Sequence, residues 1–329
     1  MVDTAKMPEC GPETLPLVAI VTPVYNGVAY LEETMEAVQA QDYPRLVHIV
    51  LDNASTDGTP EIIERYRNRR VPVHTRRNAR LLPLLQNWNA AVALVPVEAR
   101  YFRTLAADDT IAQSFISRTV EVAEHHPSVG VVGSLFNRNR GETVDLGWPA
   151  GQHVLPGRTA LEMHFRRAIW LPSSHVLFRA GVIDRQRPFF PDKIIAFDLA
   201  ATMDVLTRYD LGLVHEDLAM TRLHKETVSS VALDRERRHL YEQLHFISQY
   251  APYALGAQAS EEMRLLYRRH YLRQLLKWRL GANHEIYETH MRGLDGLGLR
   301  PEATQFADAL WDWALVRLGR RAVWQGYPF

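Results

Sequence analysis

The sequence predicts an α/β protein with a mostly parallel central sheet and a C-terminal α-helical appendage. From Leu17 onward, short runs rich in β-branched residues alternate with amphipathic stretches, which is typical of βα units stacked on a parallel sheet. After Val231 the apolar residues recur at helical spacing instead. The chain has 329 residues, of which 47% are hydrophobic, so it can bury a large core. We therefore expect one large sheet domain with helices appended to it.

Element boundaries follow from where each pattern starts and stops. The predicted strands of the first half are, in order, 17–22, 47–51, 71–74, 101–105 and 129–134. Between them, apolar residues three or four apart predict helices that start near Tyr30, Thr59, Leu84 and Ile116. Thr59 is a suitable cap for the second of these helices, because Pro60 then falls in its first turn. Residues 137–157 are rich in Gly, Asn and Arg and lack periodicity, which predicts loop or irregular strand.

These patterns divide the chain into three regions. We expect an N-terminal tail at residues 1–16, a sheet domain at 17–230 and a helical region at 231–329. The sheet domain divides again near residue 135, where the regular alternation of strand and helix stops. Beyond that point a strand is predicted at Val176 to Arg179.

The composition excludes several classes of protein. Lys plus Arg and Asp plus Glu each number 38, so the net charge is zero and no overall field attracts nucleic acid. The single cysteine, Cys10, cannot form an internal disulfide, which suits a reducing compartment. No basic and then apolar leader opens the chain, and its apolar runs are far shorter than the roughly 20 residues that span a bilayer. We therefore expect a cytoplasmic protein that binds no nucleic acid.

Three polar loops follow strands of the predicted parallel sheet. They are Pro23-Val24-Tyr25-Asn26, Asp52-Asn53 and Asp108-Asp109. The carboxyl ends of parallel strands share one edge of a sheet, where open α/β folds bind their ligands. The adjacent carboxylates of Asp108 and Asp109 repel each other and need a positive partner, and Mg²⁺ or Mn²⁺ is commonly held by one or two carboxylates plus substrate phosphates. A solvated acidic turn is the alternative explanation for this pair taken alone.

The order of motifs along the chain resembles the family-2 inverting glycosyltransferases, whose fold is of the GT-A type. The motifs are Pro23-x-Tyr25-Asn26, Asp52-Asn53-x-Ser55-x-Asp57-Gly58, Asn87-Trp88-Asn89 and Leu105-Ala106-Ala107-Asp108-Asp109. The likeness spans about Leu17 to Ser229. It implies a metal-dependent enzyme that moves a sugar, with inversion, from a nucleotide-diphosphate sugar to a hydroxyl group. It also implies that residues 17–135 bind the nucleotide sugar and that residues 136–230 bind the acceptor.

The resemblance assigns the residues of the donor site. The implied nucleotide contacts are Pro23, Tyr25, Asn26, Asp52, Asn53 and Asp108, and the implied ligand of Mn²⁺ or Mg²⁺ is Asp109. Many family members carry Asp at the position of Asn53, where it accepts the N3–H of uracil or thymine. Because an asparagine amide can either accept or donate, a UDP- or dTDP-sugar is favoured and a cytosine base also fits.

The resemblance further assigns a catalytic base and a loop that closes over the diphosphate. Asp198, at the start of a predicted helix, occupies the place of the family's catalytic base. A helix cap is the alternative, since Asp is a preferred capping residue. Asp192 and Asp204 are the competing carboxylates. His224 would complete the metal shell or bind a phosphate, and Arg222 would support the diphosphate or brace the loop, whereas a packing role is the commoner explanation for a lone histidine.

The implied acceptor is a glycan, a lipid-linked molecule or a small molecule, as in polysaccharide biosynthesis. The helix predicted from Met263 to Leu280 carries six Arg and Lys residues around an apolar stripe. Such a helix more often packs with a solvated face, but it can also lie on an anionic membrane. Peripheral contact at the inner face of the membrane is therefore a hypothesis.

The residues leave one alternative function open and argue against three other classes of enzyme. A non-catalytic module on the same scaffold would bind a nucleotide or glycan without turning it over, and Ala106, where many family members carry an acid, agrees with that alternative. A Rossmann dehydrogenase or a P-loop enzyme would need a Gly-rich phosphate-binding turn, which the segment from Thr22 to Gly27 lacks. A sugar-phosphate nucleotidyltransferase would need a Gly-rich, basic loop near the N-terminus, and none is present there.

Overall fold

The computed structural model describes residues 15–224, 235–281 and 283–321. The predicted N-terminal tail up to residue 14, including Cys10, lies outside the described residues. Val231, where we expect the helical region to begin, also lies outside them.

Nine strands of the described residues form one sheet. They are β1 (Val18–Val24), β2 (Leu46–Asp52), β3 (Val73–Arg77), β4 (Tyr101–Thr104), β5 (Thr110–Ile111), β6 (Val129–Arg138), β7 (Val154–Leu155), β8 (Val176–Arg179) and β9 (Asp210–Thr221). Their order is β3-β2-β1-β4-β8-β6-β9-β5, with β7 paired to β9. Every residue of β1 and β2 is buried, as expected where helices cover both faces of a parallel sheet.

The sheet is parallel in its first half and mixed beyond it. β1 pairs in parallel with β2 and β4, and β2 pairs in parallel with β3. β8 is antiparallel to β4 and β6, while β9 is parallel to β6 and antiparallel to β5 and β7. The predicted α/β class with a central sheet is confirmed, and its parallel character is strongest in the strands that carry the three polar loops.

Ten α-helices connect and follow these strands within the described residues. They are α1 (Leu31–Gln39), α2 (Thr59–Arg65), α3 (Leu84–Val92), α4 (Phe115–His125), α5 (Gly157–Phe165), α6 (Phe197–Leu206), α7 (His239–Leu255), α8 (Ala257–Leu280), α9 (His284–Gly296) and α10 (Ala303–Arg317). The last four confirm the predicted C-terminal helices. None of the helices in the described ranges is both long enough and apolar enough to cross a membrane.

Some elements depart from the sequence prediction. β3 is displaced towards Arg77, because polar residues with exposed side chains complete this edge strand. Gly58 rather than Thr59 is the N-cap of α2, and the Thr59 hydroxyl donates to Asp57 Oδ1 at 2.5 Å. The helix α5 and most of β9 have no counterpart in the prediction, since charged residues such as Glu216 interrupt their apolar patterns.

The chain divides into two compact units that interleave along the sequence. The first comprises the described residues up to Pro156 together with Pro172–Phe190 and Arg208–Arg222, and it contains the whole sheet. Its core includes Ile20 and Phe115, both fully buried.

The second unit comprises Gly157–Leu171, Pro191–Thr207 and the described residues from Leu223 onward. It holds all six of the helices from α5 to α10. Within it, the buried Asp312 of α10 forms an ion pair with Arg273 of α8 and approaches Arg269 of α8 at 3.9 Å. Two arginines of the predicted basic helix therefore serve internal packing.

Candidate active site

The three polar loops leave the same edge of the sheet. β1 lies between β2 and β4, and all three strands run in parallel. Val24 pairs with Asp52, and Val21 pairs with Thr104. The register therefore sets the segments after residues 24, 52 and 104 side by side, where an α/β sheet binds its ligands.

The acidic pair Asp108-Asp109 follows β4 and is held by hydrogen bonds, and its negative charge is only partly compensated. Asp109 is 8% exposed, and its Oδ1 accepts the backbone N–H of Arg222 at 2.9 Å. The Thr34 hydroxyl donates to the carbonyls of Ala107 and Asp109 at 2.9 Å each. Burial, and then the charge of Asp108, raise the pKa of Asp109 to about 7. A cation beside this carboxylate would be favoured, because it would stabilise the ionised form.

Arg222 fastens the segment after β9 to the acidic pair. Besides its backbone contact with Asp109, its Nε donates to the carbonyl of Asp108 at 3.0 Å. Its guanidinium pairs with Glu33 and lies 4.6 Å above the Tyr30 ring. His224, two residues further along the chain, is half-buried. Arg222 therefore makes four separate contacts through its backbone and side chain, and these fasten the start of this segment.

Arg103 is a buried cation that the sequence reasoning missed. It is 1% exposed, and its guanidinium lies 4.1 Å from the Phe115 ring centroid. Its Nε has no hydrogen-bond partner among the described residues. Burial lowers the pKa of Arg103 to about 9, and the charge of Asp109 opposes this shift. Its signal in the sequence is a charged residue inside the apolar run that forms β4.

The loop after β2 is tied together by its own polar side chains. Asp52 is buried, accepts the backbone N–H of Ser55 at 2.9 Å and forms an ion pair with Arg77. Arg77 also donates to the carbonyl of Ser55 at 2.7 Å. Asp52 therefore orders this loop through two partners, one of which, Arg77, the sequence reasoning missed.

The amide of Asn53 is committed to an internal network. Its Oδ1 accepts the backbone N–H of Leu82 at 2.9 Å and the side-chain amide of Asn78 at 2.8 Å. Its Nδ2 donates to the carbonyl of Leu82 at 2.9 Å. The paired contacts with one backbone unit fix which end of the amide is oxygen. Both lone pairs of that oxygen are used, so Asn53 cannot also accept an N–H from a base.

The loop after β1 presents one exposed ring above an ordered turn. Pro23 is buried in β1, whereas Tyr25 is 47% exposed. Asn26 adopts φ 49°, donates its N–H to Ser55 Oγ at 2.9 Å and accepts the N–H of Thr56 at 2.9 Å. The loops after β1 and β2 are therefore joined through Asn26, and the ring of Tyr25 is accessible.

A cavity of about 580 Å³ lies along α1 and is lined by Glu32, Glu33, Glu36, Arg140 and Arg222 among others. Three carboxylates would repel a diphosphate. This cavity is therefore a poor site for an anionic donor, and the loops at the sheet edge are better suited to one.

The second unit contains the predicted catalytic carboxylate. Asp198 lies half-buried in the first turn of α6, and its Oδ1 accepts the N–H of Leu199 at 2.8 Å. The N-cap of α6 is Ala196, without a side-chain cap hydrogen bond, so the N-cap role that was the alternative for Asp198 is wrong. Of the competing carboxylates, Asp192 and Asp204 are exposed, and Asp204 accepts the Tyr250 hydroxyl at 2.9 Å.

Glu242 of α7 is a further residue that the sequence reasoning missed. It is 1% exposed and accepts the backbone N–H groups of Ile195 and Ala196 at 2.6 and 3.2 Å. These are the two residues directly before α6. A glutamate within the apolar helical pattern around Leu244 is its only signal in the sequence.

Residues 19–169 match the protein-family model described as Glycosyl transferase family 2. The putative teichuronic acid biosynthesis glycosyltransferase TuaG of Bacillus subtilis (strain 168) is 33% identical over 110 residues, which are 32% of this chain and 41% of that protein. The poly(ribitol-phosphate) beta-N-acetylglucosaminyltransferase TarS of Staphylococcus aureus (strain Mu50 / ATCC 700699) is 24% identical over 184 residues, 54% of this chain and 30% of that protein. The chain thus spans less than half the length of these relatives.

Two solved structures have a similar fold. The crystal structure of S. aureus TarS 1-349 in complex with UDP-GlcNAc has a TM-score of 0.64 and 16% identity, covering 95% of this chain and 93% of that chain. The mannosyltransferase PcManGT from Pyrobaculum calidifontis, in complex with GDP-Man and Mn²⁺, has a TM-score of 0.57 and 18% identity, covering 93% of this chain and 82% of that chain. The predicted GT-A type of fold is confirmed by these likenesses.

Proposed function

We propose, because residues 19–169 match the model of glycosyl transferase family 2, that this chain is a nucleotide-sugar-dependent inverting glycosyltransferase. It would move a sugar from a nucleotide-diphosphate sugar to a hydroxyl of a glycan, lipid-linked or small-molecule acceptor. The observation that carries the proposal is the convergence of the ends of β1, β2 and β4, with the acidic pair after β4. Similar folds that hold UDP-GlcNAc, or GDP-Man with Mn²⁺, support a nucleotide-sugar donor.

The donor nucleotide would lie against the loops after β1 and β2. The exposed ring of Tyr25 is suited to stack on a base, with Pro23, Asn26 and Asp52 shaping the same loops and Asp108 holding the ribose. Asn53 would contribute by fixing the position of Leu82, because its side-chain amide bonds both the N–H and the carbonyl of that residue. A UDP- or dTDP-sugar is the favoured donor, and the UDP-GlcNAc held by TarS supports this choice.

The acidic pair fits Mn²⁺ or Mg²⁺. Among the described residues there is no group of three or more His, Cys, Asp or Glu side chains that could hold a metal. The chain would therefore supply one or two carboxylates and the diphosphate would complete the shell, as hard cations allow. Asp109, whose Oδ1 accepts the Arg222 N–H, would hold the cation, and the more exposed Asp108 would hold the ribose beside it. When bound, the metal would neutralise the developing charge of the leaving diphosphate.

The segment after β9 would close over the diphosphate. Arg222 holds the start of this segment against Asp108 and Asp109, and His224 follows it in the chain. We assign His224 to a metal or phosphate contact and Arg222 to the bracing of the loop.

Asp198 would be the general base. It would take the proton of an acceptor hydroxyl while the acceptor oxygen forms a bond to the anomeric carbon. The bond between that carbon and the phosphate oxygen breaks in the same step, so the nucleoside diphosphate leaves and the configuration inverts. Removing a positioned general base typically lowers the rate by about 10²- to 10⁴-fold.

The test compares four proteins for transfer, for hydrolysis of a panel of nucleotide sugars, and for stabilisation by UDP with and without Mn²⁺. Asp198→Asn should lose about 10²- to 10⁴-fold in turnover and keep the UDP-dependent rise in melting temperature, because its change lies in the other unit from the donor loops. Asp204→Asn, on the same helix, is the matched control and should retain activity. Asp109→Asn should lose the additional stabilisation by Mn²⁺, since a ligand stabilises only the state that binds it.

Each result has a definite meaning. Near-normal turnover by Asp198→Asn would remove that residue from the role of base. Stabilisation by UDP without turnover of any donor would favour the non-catalytic binding module instead. Stabilisation that is indifferent to Mn²⁺ in the wild-type protein would exclude the metal.

We also propose a cytoplasmic location with peripheral membrane contact through the C-terminal helices. Trp311 and Leu318 at the end of the described chain are each 67% exposed. Arg317 lies 4.1 Å from the ring of Trp313. Exposed aromatic rings interleaved with arginines suit an anionic membrane surface, where a lipid-linked acceptor would be found.

A further inference from the structure

Glu242 is a buried carboxylate whose two oxygens hold the backbone before the proposed base. Its Oε1 accepts the N–H of Ile195 at 2.6 Å, and its Oε2 accepts the N–H of Ala196 at 3.2 Å. Ala196 is the N-cap of α6 and provides no side-chain hydrogen bond to that helix. Glu242, 46 residues further along the chain, thus fixes from α7 the two backbone N–H groups directly before the first turn of α6.

A neutral acceptor could make these contacts at a lower cost. A buried carboxylate loses much of its hydration, and only strong hydrogen bonds or a nearby cation offset that loss. Glu242 also carries the same charge as Asp198, which lies two residues beyond Ala196. A charged group in this position is thus unfavourable for folding alone, and this points to a role in the site.

The charged and titratable groups that act on Glu242 come from two helices. Asp198 belongs to α6, whereas Arg238 and Tyr241 lie on or directly before α7. The pKa of Glu242 is raised to about 7, chiefly by burial; the two N–H groups and Arg238 oppose this shift, and the charge of Asp198 adds to it. The interaction is mutual, so an ionised Glu242 must also make Asp198 a better proton acceptor.

We propose that Glu242 is a positioning residue that sets the orientation of Asp198 through Ile195 and Ala196 and, by its negative charge, strengthens Asp198 as a base. The proposal rests on the proposed function of Asp198. Below neutral pH the Glu242 carboxyl takes up a proton. It then loses both its charge and part of its ability to accept the two N–H groups, so turnover should fall.

The test is the pH dependence of turnover in two variants that shift it in opposite directions. Glu242→Gln keeps the shape and one acceptor oxygen but removes the charge and the titration. It should lower kcat by about 10- to 100-fold, because a misplaced reacting group costs up to about 10²-fold. The donor KM should not change. The acid limb of its kcat profile should move to lower pH, since both the titration of Glu242 and its effect on Asp198 are absent.

Arg238→Gln provides the second arm, because it leaves Glu242 in place and removes the cation that favours its ionised form. Its acid limb should move to higher pH. Asp312→Asn is the structural control: it alters another buried carboxylate of the second unit, one that pairs with Arg273. It should lower stability without changing the acid limb.

The outcomes separate this inference from the proposed function. A wild-type protein without transfer or donor hydrolysis would overturn both. Loss of activity in Asp198→Asn, with wild-type kcat and an unshifted acid limb in Glu242→Gln, would overturn the role of Glu242 alone. If Glu242→Gln does not fold, an acid limb of Arg238→Gln that coincides with the wild type would overturn it as well.

Discussion

Replacing Glu242 by Gln should change how the stability of the protein depends on pH. The pKa of Glu242 is about 7 in the folded protein, against an ordinary value of 4.5. Because the folded-state pKa is raised, the stabilisation by the protonated carboxyl is complete below the ordinary pKa and is lost as the pH rises through about 7. At 1.36 kcal/mol for each pKa unit, this loss is about 3 kcal/mol. Gln does not titrate, so the variant does not lose this stabilisation. The free energy of unfolding of the variant minus that of the wild type should therefore rise by about 3 kcal/mol between about pH 4 and pH 8.

The assay is urea unfolding of both proteins, followed by tryptophan fluorescence, at intervals between about pH 5 and pH 8. Trp278 is buried in α8 of the same unit and reports on its unfolding. The other titrating groups are common to both proteins, so they cancel in the difference between the two free energies of unfolding. Tyr250→Phe is the control, since burial raises the pKa of Tyr250 and its hydroxyl stays neutral throughout. It should lose about 1.5–3 kcal/mol at every pH, the usual contribution of a hydrogen bond to a carboxylate.

Parallel curves for Glu242→Gln and the wild type would refute this reasoning. They would mean that the carboxyl of Glu242 titrates alike in the folded and unfolded chains, which contradicts its burial against Ile195 and Ala196. A changed dependence of the free energy on urea concentration would instead mean that the variant exposes a different surface on unfolding.

Two further predictions concern Asn53 and Trp311. Asn53→Asp introduces the residue that many family members carry. It should destabilise the protein by about 1–3 kcal/mol, because a carboxylate cannot donate to the Leu82 carbonyl and places a second oxygen against it. Unchanged urea unfolding would contradict the assigned network. Trp311→Ser should reduce co-sedimentation with vesicles containing anionic lipid and leave the melting temperature unchanged, because the Trp311 ring is 67% exposed; equal vesicle binding by both proteins would contradict the proposed membrane contact.

The first half of the fold could be predicted because its signals are local. A run such as Val18–Val24 is apolar on both faces, and the helix that follows shows apolar residues at helical spacing. Where tertiary contacts decide, the sequence pattern fails. The polar end of β3 joins the sheet only because β2 offers it a partner, and β9 tolerates Glu216 and Asp217 because they lie at an irregularity in its pairing with β6.

The candidate site shows the same division between local and distant information. The residue types and their order indicated the acidic pair, the loop after β2 and Asp198. Their partners could not be read from the sequence, because each comes from a distant segment: Arg222 reaches Asp109 across 113 residues, and Glu242 reaches Ile195 across 47. The role of Asn53 depended on Leu82 and Asn78, which no pattern in the sequence connects to it.

The acidic pair indicates why partial compensation would suit the proposed function, in which the site loads a metal together with a diphosphate. The sequence required something positive beside Asp108 and Asp109, and the chain itself supplies the Arg222 N–H and the buried Arg103. These groups do not balance the burial, since the pKa of Asp109 remains raised to about 7. Full neutralisation by the chain would leave little attraction for a cation, whereas no compensation would make the buried turn too costly to fold. An intermediate balance keeps the turn folded and leaves electrostatic attraction for a metal carrying its own anionic ligand.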